Sequence, residues 1–436
     1  MGLEAWLALL EQRHLCDIDL GLERCGAVYR RLGSPRPARQ IFTVAGTNGK
    51  GSTVAYLAAM SAALGQRVGS YTSPHIFNFN ERIIMLGEMV ADACLVRAFE
   101  QVEKARAGVS LTYFEFTTLA ALLVLEQADL DCAVLEVGLG GRLDTVNLVD
   151  PDCAIITPIA LDHQDFLGSD INSIAAEKAG IIRAGVPLVC TQADPPGPVL
   201  AQATALQAPV YRRTVEFDLY ASEVSVAPAG TLLPPLCFQL GDHSLHVPQP
   251  SMGGQHQRDN LAAALSALFL LNPGCFAKAE EISVAIRKCC VAGRLQLLGT
   301  APEILLDVGH NALAADAVAT YLQASARTQV TCVLAMLADK AAESVALSLG
   351  KVCQRWLCAD SPGPRGQSGK ALMRRLKTTL PAAQLSCFKT LDEAMCEAVA
   401  STGERDTILV FGSFSTVASV AKWVKKRAGS TTSTTL

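Results

Sequence analysis

A glycine-rich segment, GTNGKGS at residues 46 to 52, has the composition of a phosphate-binding loop. Glycines allow backbone N–H groups to surround phosphate oxygens, and Lys50 adds a positive charge that would reach the outer phosphates. The hydroxyl of Ser52 or Thr53 would approach the region between phosphate and metal ion. The strict loop pattern has its first glycine five residues before the second, where this chain has Val44. The residues predicted to bind the nucleotide are Thr47, Asn48, Gly49, Lys50, Gly51 and Ser52, with Lys50 also predicted to be catalytic.

The patterns on either side of this segment predict the elements that hold it. Ile41 to Ala45 is a short apolar run that is typical of a buried strand. After the segment, Val54, Leu57 and Leu64 lie on one side of a predicted helix that ends at Gly65. This order places the segment at a helix N-terminus, where the helix dipole favours anions. The sequence therefore predicts a nucleotide-binding site.

Polar residues follow the ends of three further predicted strands. The strand at 67–71 leads into Ser73, the strand at 131–138 carries Glu136, and the strand at 153–157 precedes His163. Ligands of open α/β sheets bind at the carboxyl ends of the strands. Because a carboxylate in an apolar strand is costly unless paired or metal-bound, Glu136 is interpreted as a magnesium ligand rather than a salt-bridge partner. For His163, a ligand role and an ordinary surface or core role remain equally open.

Composition and charge exclude several classes of protein. Of the 436 residues, 50% are hydrophobic and 18% are charged, which suits parallel sheets buried on both faces. No apolar run reaches the ~20 residues of a membrane span, and the first residues lack a basic leader, so no membrane partner or secretory signal is expected. The net charge of −4 without a basic block argues against nucleic acid. The 15 cysteines show no zinc spacing and are interpreted as free thiols of a cytoplasmic protein.

The first part of the chain reads as helices and strands around the nucleotide site. Residues 186–250 predict small strands flanking a sheet, and Asp19 is a predicted helix cap. Helices are predicted within 1–39 and at 91–107, 171–183, 257–271 and 282–290, and residues 110–125 are predicted to be a loop that leads into an apolar helix.

From residue 302 the alternation of strands and helices restarts, which predicts a second, doubly wound α/β domain. Its strands are predicted at 303–308, 329–336, 354–359 and 407–412, and its helices at 312–324, 341–352, 369–378, 391–401 and 415–427. The predicted domains are residues 1–291 and 301–436, joined by a linker at 292–300, with a disordered tail at 429–436.

Several motifs, in this order along nearly the whole chain, resemble those of the Mur-ligase superfamily. They are GTNGKGS, YTSPH, NER, LTYFEF, LEVGLGGRLD, IALDH and EKAG. Within the superfamily, DLGLER at residues 19 to 24, LTYFEF and GLGGRLD are similar to the bifunctional bacterial folate branch. The resemblance implies an α/β fold, with an N-terminal P-loop ATPase-like domain of the Mur-ligase central type and a smaller Rossmann-like C-terminal domain.

The resemblance also implies a reaction. ATP phosphorylates a carboxylate, the amine of L-glutamate attacks the acyl phosphate, and a tetrahedral intermediate collapses to amide and phosphate. The implied acids are 7,8-dihydropteroate and reduced folates. Because carboxylate and γ-phosphate repel each other, Lys50 and Mg²⁺ would neutralise charge. Two magnesium ions are implied, with a monovalent cation as an optional addition, and the partners would be small molecules that bind a monomer.

The metal ligands implied by the resemblance are Ser73, Glu136, His163 and a carbamylated Lys178. An imidazole is an unusual ligand for magnesium, which prefers oxygen. Without the resemblance, Lys178 would be interpreted as an exposed helix lysine. His163 and Lys178 join Lys50 as predicted catalytic residues.

Other roles are carried over position by position. Asn260, Arg294 and Asp307 match nucleotide-binding positions, with Arg294 on phosphate and Asp307 on the ribose or adenine side. His310 and Asn311 match the glutamate side. Because several of these residues lie in the second domain, the site is expected in a cleft that closure assembles.

The pterin-bearing substrate is expected to contact three segments. Phe114 and Phe116 would offer aromatic surface to a flat ring or pack in the core, and the core role is favoured for Phe116. The segments comprise Asp19, Leu20, Gly21, Leu22, Thr112, Tyr113, Phe114, Glu115, Leu143, Asp144 and Thr145.

The chain departs from the family pattern at three positions: Ala312 and Ala292 replace prolines, and Ser415 replaces a histidine. Three alternatives remain. A ligase that only extends folates would keep the fold and chemistry. A Mur-type ligase acting on a cell-wall nucleotide precursor needs a larger N-terminal domain than residues 1–39 provide. A regulatory P-loop ATPase would hydrolyse ATP slowly without an amino acid, and leaves the second domain unexplained.

Overall fold

The alternation of apolar strands and helices produces two units, each with its own sheet. The first consists of Met1–Ser251 and Gln257–Cys290, and the second of Met252–His256 and the chain from Val291 onward. The structure, a computed structural model, describes residues 1–13, 18–221, 234–327 and 329–428. The tail predicted at 429–436 lies outside these residues.

The main sheet of the first unit has eight strands in the order β4-β3-β2-β5-β1-β6-β7-β8. They are β1 (Ala38–Ala45), β2 (Val68–Tyr71), β3 (Ile83–Met85), β4 (Glu88–Met89), β5 (Leu130–Glu136), β6 (Cys153–Ile156), β7 (Leu188–Cys190) and β8 (Val210–Arg212). The strands from β2 to β8 in this order pair in parallel, whereas β3 and β4 add an antiparallel edge. The central strands are apolar because both faces of the sheet are covered.

Ten helices belong to the described part of this region. They are α1 (Leu3–Arg13), α2 (Leu22–Arg31), α3 (Lys50–Ala63), α4 (Asp92–Arg106), α5 (Tyr113–Glu126), α6 (Gln164–Leu167), α7 (Ile171–Ala179), α8 (Gly197–Ala205), α9 (Gln255–Leu271) and α10 (Ala279–Lys288). Both α3 and α5 pack against β2 and β5. Helix α5 is buried continuously from Glu115 to Leu125, as its apolar run predicts.

Three local predictions for the first unit are wrong. Helix α7 ends at Ala179 rather than at 183, because the chain leaves the helix at Gly180. The segment 186–250 contains the helix α8 as well as strands. Asp19 does not cap α2, whose N-cap is Gly21; its carboxylate pairs with Arg24 instead, at 2.8 Å.

The other strands of the segment 186–250 form a separate antiparallel sheet. It contains β9 (Phe217–Ala221), β10 (Leu236–Leu240) and β11 (His243–Val247), with β10 in the centre. The prediction of short strands here is confirmed, and β7 and β8 extend the main sheet.

The sheet of the second unit has six strands in the order β12-β13-β17-β14-β15-β16. They include β12 (Gln296–Thr300), β13 (Glu303–Asp307) and β14 (Val330–Leu334).

 The set is completed by β15, which covers Cys353–Ala359, together with β16 (Gln384–Phe388) and β17 (Thr407–Phe411). All neighbouring strands pair in parallel except β12 with β13.

The helices of this unit confirm the predicted doubly wound pattern. They are α11 (Ala312–Ala324), α12 (Ala342–Leu349), α13 (Gly369–Thr379), α14 (Leu391–Ser401) and α15 (Phe414–Ala428). Two strands were not predicted. Strand β12 occupies half of the segment interpreted as a linker, and β16 is a partly exposed edge strand.

Two predictions made from composition can be compared with the described residues. The 14 cysteines among them are all free thiols, as predicted. In the same residues, no helix combines the length and the apolar character that crossing a bilayer requires.

Candidate active site

The loop between β1 and α3 is held by close contacts that only glycine permits. Gly46 and Gly49 have φ angles of 146° and 92°. A Cβ atom on Gly46 would lie 1.8 Å from Oγ1 of Thr157, and one on Gly49 would lie 2.4 Å from Oδ1 of Asn260. The loop therefore fits tightly between the end of β6 and helix α9.

Further hydrogen bonds fix the loop on both sides. The backbone N–H of Thr47 donates to the carbonyl of Pro158 at 2.9 Å, and the Thr47 hydroxyl donates to that of Ala160 at 3.2 Å. On the helix side, Nε2 of Gln257 donates to Oγ of Ser52 at 3.3 Å. Asn260, predicted to bind the nucleotide, thus lies beside the loop, and Gln257 is a neighbour that sequence reasoning missed.

Two lysine amines converge on one carbonyl of this loop. Nζ of Lys50 donates to the carbonyls of Gly46 and Thr47, at 3.2 Å each. Nζ of Lys178, from α7, donates to the same Gly46 carbonyl at 2.8 Å. The interpretation of Lys178 as an exposed lysine is therefore wrong, since only 4% of the residue is exposed. Burial, reinforced by the charge of Lys50, lowers the pKa of Lys178 to about 7.

The predicted metal ligands on β2 and β5 lie together. Glu136 is 5% exposed, and its Oε2 accepts a hydrogen bond of 3.2 Å from the backbone N–H of Ser73. The two residues come from strands that pair in parallel and end at the same edge of the sheet. A hydroxyl and a carboxylate offer the oxygen atoms that magnesium prefers.

His163 lies beyond the end of β6, at the start of α6, with a left-handed φ of 51°. Its backbone N–H donates to Oδ1 of Asp162 at 2.9 Å, and its Nε2 is 3.9 Å from Oδ2 of the same residue. Sequence reasoning assigned no role to Asp162. Its position next to His163, just after a predicted strand, could have indicated that Asp162 lies at the site.

The strand order explains why distant segments meet. Strands β2, β5, β1 and β6 are consecutive neighbours in the sheet, and all four run in parallel. Ser73, Glu136, the glycine loop and His163 follow their carboxyl ends in that order. These residues therefore share the carboxyl edge of the sheet, which is the edge where ligands of open α/β sheets bind.

The segment after β5 docks on the end of α7. The backbone N–H of Arg142 donates to the carbonyl of Glu177 at 2.7 Å, and their side chains form an ion pair of 2.6 Å. A Cβ atom on Gly141 would lie 2.8 Å from the Glu177 carbonyl, and one on Gly180 would lie 2.3 Å from Cβ of Arg142. These glycines allow the close approach that orients the neighbouring Lys178.

Asp144 shapes the same segment from within. Its carboxylate accepts hydrogen bonds from the backbone N–H groups of Leu139, at 2.8 Å, and Val146, at 2.9 Å. Burial raises its pKa to about 6, although the backbone donors act in the opposite direction. The structure gives this predicted substrate residue a loop-holding role. Leu143 and Thr145 flank it, the latter at the start of a 3-10 turn, Thr145–Leu148.

Two other predicted substrate segments are joined by an arginine that sequence reasoning missed. Thr112 and Glu115 form a reciprocal capping box at the start of α5, with hydrogen bonds of 2.7 and 3.1 Å. Arg24 pairs with Oε1 of Glu115 at 3.0 Å and with Oδ2 of Asp19 at 2.8 Å. The signal was present, because Arg24 is the last residue of DLGLER.

The two phenylalanines of LTYFEF have different environments. Phe116 is 1% exposed, and its ring lies 5.6 Å from that of Phe99, so its predicted core role is confirmed. Phe114 is partly exposed, 6.5 Å from the ring of Tyr71. A Cβ atom on Gly138 would lie 2.4 Å from the Phe114 ring, which shows how closely the ring covers that backbone.

In the second unit, Asp307 and Arg294 have partners of their own. Asp307 is buried at the end of β13 and accepts backbone hydrogen bonds from Gly309, at 2.8 Å, and Leu295, at 3.1 Å. The guanidinium of Arg294 lies 5.6 Å from the ring centroid of Phe414. These contacts hold the turns that carry both residues.

His310 and Asn311 connect β13 to α11. Nδ1 of His310 lies 3.2 Å from the Val308 carbonyl. Oδ1 of Asn311 accepts a hydrogen bond of 3.0 Å from the backbone N–H of Ala314, so Asn311 caps α11. Ala312, one of the departures from the family pattern, is the first residue of this helix.

We expect Ala312→Pro to stabilise the folded chain by about 0.4–1 kcal/mol, because proline restricts the unfolded chain more than alanine does. The first helical position needs no N–H, and the preceding residue, Asn311, has the extended backbone (φ −141°, ψ 169°) that proline requires. Urea unfolding of the full chain measures the change.

The matched control is Ala314→Pro, two residues further into the same turn. It removes the N–H that donates a hydrogen bond to the Asn311 side chain. We expect a loss of about 1 kcal/mol, as for other lost caps. If both variants lowered the free energy of unfolding equally, Ala312 would not have the role of a first helical residue.

This combination of folds and residues defines a Mur ligase. The family model of the Mur ligase middle domain matches residues 44–268. The model of the Mur ligase, glutamate ligase domain matches residues 293–414.

Individual relatives narrow this class. The chain is 38% identical to the dihydrofolate synthase/folylpolyglutamate synthase of Escherichia coli K12, over 98% of this chain and 96% of the relative. The structure of E. coli FolC in complex with DHPP and ADP is 37% identical, with a TM-score of 0.88 over 98% of this chain and 99% of that one. A bifunctional folylpolyglutamate synthase/dihydrofolate synthase with Mn, AMPPNP and L-glutamate bound is 38% identical, with a TM-score of 0.85 over 98% of both chains. The chain belongs to the dihydrofolate synthase/folylpolyglutamate synthase family.

Proposed function

We propose that this protein is an ATP-dependent ligase that adds L-glutamate to 7,8-dihydropteroate and further glutamates to reduced folates. The observation that carries the proposal is the convergence of Lys50 and Lys178 on the Gly46 carbonyl, at the sheet edge that also holds Glu136. The names and bound molecules of the relatives support the choice of substrates.

The first unit would bind ATP and the pterin-bearing acid, and the second would supply the glutamate ligase residues. Backbone N–H groups of residues 46–52 would surround the phosphates, with Lys50 on the outer phosphates. Asn260, Arg294 and Asp307 would bind the nucleotide, and His310 and Asn311 would lie on the glutamate side. The protein would act as a monomer on small-molecule substrates, and a monovalent cation would be an optional further cofactor.

The donor atoms at the sheet edge fit a divalent cation. Ser73 and Glu136 offer oxygen atoms, and His163 offers a nitrogen beside the carboxylate of Asp162. Ser73, Glu136 and His163 would hold two magnesium ions together with the carbamate oxygens of a modified Lys178. When bound, magnesium would stabilise the negative charge that develops between carboxylate and γ-phosphate.

The two chemical steps of the reaction depend more on the alignment of the substrates than on acid–base catalysis. An oxygen of the substrate carboxylate attacks the γ-phosphorus, and the bond to ADP breaks. The amine of L-glutamate then attacks the acyl carbon, loses its proton, and inorganic phosphate leaves. Lys50 would stabilise charge in the first step, and the segments around Asp19, Thr112 and Asp144 would orient the acid.

Lys178 has the surroundings that favour carbamylation. Its amine is buried and donates to a neutral carbonyl, with Lys50 donating to the same atom. Addition of CO₂ forms an N–C bond and releases a proton, which leaves one N–H for Gly46 and two oxygens for magnesium. The product replaces one of two neighbouring positive charges with a negative one.

The substrate test uses the purified chain with ATP, L-glutamate and either dihydropteroate or a reduced folate that already carries one glutamate. We expect phosphate release and a glutamylated product with both acids. Phosphate release with the reduced folate but not with dihydropteroate would mean that the protein only extends folates. Equal slow release with or without L-glutamate would favour the regulatory ATPase and contradict the proposal.

A further inference from the structure

Arg82 lies at the same sheet edge as the proposed metal ligands, although sequence reasoning gave it no role. It ends a 3-10 turn, Phe79–Arg82, directly before β3. Its carbonyl accepts a hydrogen bond of 2.9 Å from the backbone N–H of Thr72, the residue before Ser73. The backbone of Arg82 is therefore placed beside the carboxyl end of β2.

The side chain is enclosed by aromatic and neutral groups. Arg82 is 8% exposed, and its guanidinium carbon lies 5.3 Å from the ring centroid of Phe79 and 5.6 Å from that of Tyr113. Its Nε donates to Nδ1 of His75 at 3.0 Å. That nitrogen offers a lone pair and no negative charge. Within the described residues, Arg82 forms no ion pair.

Other arginines of the first unit differ in this respect. Arg213, which is also 8% exposed, pairs with Asp259 at 3.2 Å, and the partly buried Arg106 pairs with Glu103 at 2.6 Å. A buried cation without an opposite charge is costly, and such groups are paired in most folded proteins. Arg82 therefore has the features of a group whose counter-charge arrives with a ligand.

We propose that Arg82 binds a carboxylate of the pteroate-type substrate and presents it to the metal-binding edge. This inference rests on the proposed function. The planar guanidinium matches a carboxylate in two parallel hydrogen bonds, and its outer nitrogens are available for them. Tyr113, which contacts Arg82, belongs to a predicted substrate segment, and Ser73 belongs to the metal-binding edge.

The position favours a substrate carboxylate over a nucleotide phosphate. Strands β2 and β5 lie between β3, which Arg82 directly precedes, and β1, so Arg82 is three strands away from the glycine loop. Neighbouring strands are about 4.8 Å apart, which separates the two sites by roughly 14 Å across the sheet. That spacing suits an acid aligned beside ATP.

The test compares Arg82→Lys and Arg82→Gln with the parent chain in steady-state assays. The measured values are KM and kcat for dihydropteroate, for a reduced folate with one glutamate, and for ATP. We expect KM for the acid to rise about tenfold or more in Arg82→Gln, as when a charged hydrogen bond is lost, while KM for ATP stays within about twofold. The KM of Arg82→Lys for the acid should lie between those of the parent chain and Arg82→Gln, because lysine keeps the positive charge but lacks the planar, forked donor group of arginine.

The two acids identify which carboxylate is bound. Dihydropteroate carries only the benzoate carboxylate, whereas the glutamylated folate also carries an α-carboxylate. An increase in KM for both acids assigns Arg82 to the shared reacting position, and an increase for the folate alone assigns it to the glutamyl α-carboxylate. Unchanged KM for both acids, or an equal increase in KM for ATP, would overturn the inference.

Arg106→Gln is the matched control, since Arg106 is a partly buried arginine with a carboxylate partner on α4. We expect its KM values to match those of the parent chain. Thermal unfolding checks that each variant folds, and Arg82→Lys carries the test if Arg82→Gln does not fold. Turnover by the parent chain tests the proposed function separately, whereas the ratio of KM values between variant and parent tests Arg82.

Discussion

Replacing Lys50 with alanine is expected to abolish both ligase activities while the fold stays intact. Lys50 is the only lysine in the loop at residues 46–52, and its amine donates hydrogen bonds to two loop carbonyls. When ATP binds, the outer phosphates would take the place of these carbonyls as partners of the amine. Loss of one stabilising donor at developing charge reduces kcat by about 10²–10³. Phosphate release at saturating ATP, with either acid, measures the effect.

Lys104→Ala is a suitable control, because Lys104 is an exposed lysine on α4. It should turn over like the parent chain. Lys50→Ala should keep the unfolding midpoint of the parent, since Lys178 still donates to the Gly46 carbonyl and Thr47, the other acceptor, is only partly buried. Near-parental turnover of Lys50→Ala at saturating ATP would refute the assignment of the loop.

Local patterns predicted the elements that lie at the centre of each sheet. Strands β1, β5 and β6 are apolar over most of their length because both faces are covered, so a continuous run identifies them. The helices α11 and α14 match their predicted limits, since Asn311 and Thr390 cap their starts in the structure.

The edge elements were missed for a physical reason. Strand β16 is mostly exposed, and β12 pairs on one side only, so neither has a strong apolar run. Helix α8 is nine residues long and begins at Gly197 and Pro198, which favour a turn when taken alone. Pairing with distant strands or packing against α7 decides these segments, and neither is visible locally.

The chemistry at the sheet edge was predictable where residue type and strand end coincide, as for Glu136 and the glycine loop. Contacts between distant segments were not. Arg24 meets Glu115 across 91 positions, and Lys178 meets the Gly46 carbonyl across 132. No spacing rule encodes such distances. The burial of Lys178, and the burial of Arg82 without an ion pair among the described residues, are therefore visible only in the fold.

Lys178→Ala is expected to lose most ligase activity, because it removes the proposed carbamate and with it a magnesium ligand. A protonated amine cannot add CO₂, and an ordinary lysine, with a pKa of about 10.4, is almost wholly protonated at neutral pH. Burial of Lys178 lowers its pKa to about 7, so at pH 8 most of the amine is uncharged and open to addition. Below pH 7 the ammonium form competes, and the carbamate should be lost.

Two further variants and a small molecule separate the carbamate from other roles of this lysine. Lys178→Arg keeps a positive charge but cannot form the carbamate, so it should be as inactive as Lys178→Ala. A short carboxylic acid such as acetate should partly restore Lys178→Ala by supplying the missing oxygens, and should not restore Lys50→Ala. Unfolding midpoints show whether the variants fold.

Direct detection decides the chemistry, since a carbamate adds the mass of CO₂ and a planar group at Nζ. Crystals grown near pH 8, or intact mass measured without acidification, should show it in the parent chain and not in Lys178→Arg. Acidified samples lose carbamates and cannot serve. The modified nitrogen keeps one N–H, which we expect to donate to the Gly46 carbonyl as the amine does. An unmodified amine in such crystals, together with full activity of Lys178→Arg, would show that this lysine acts through its charge alone.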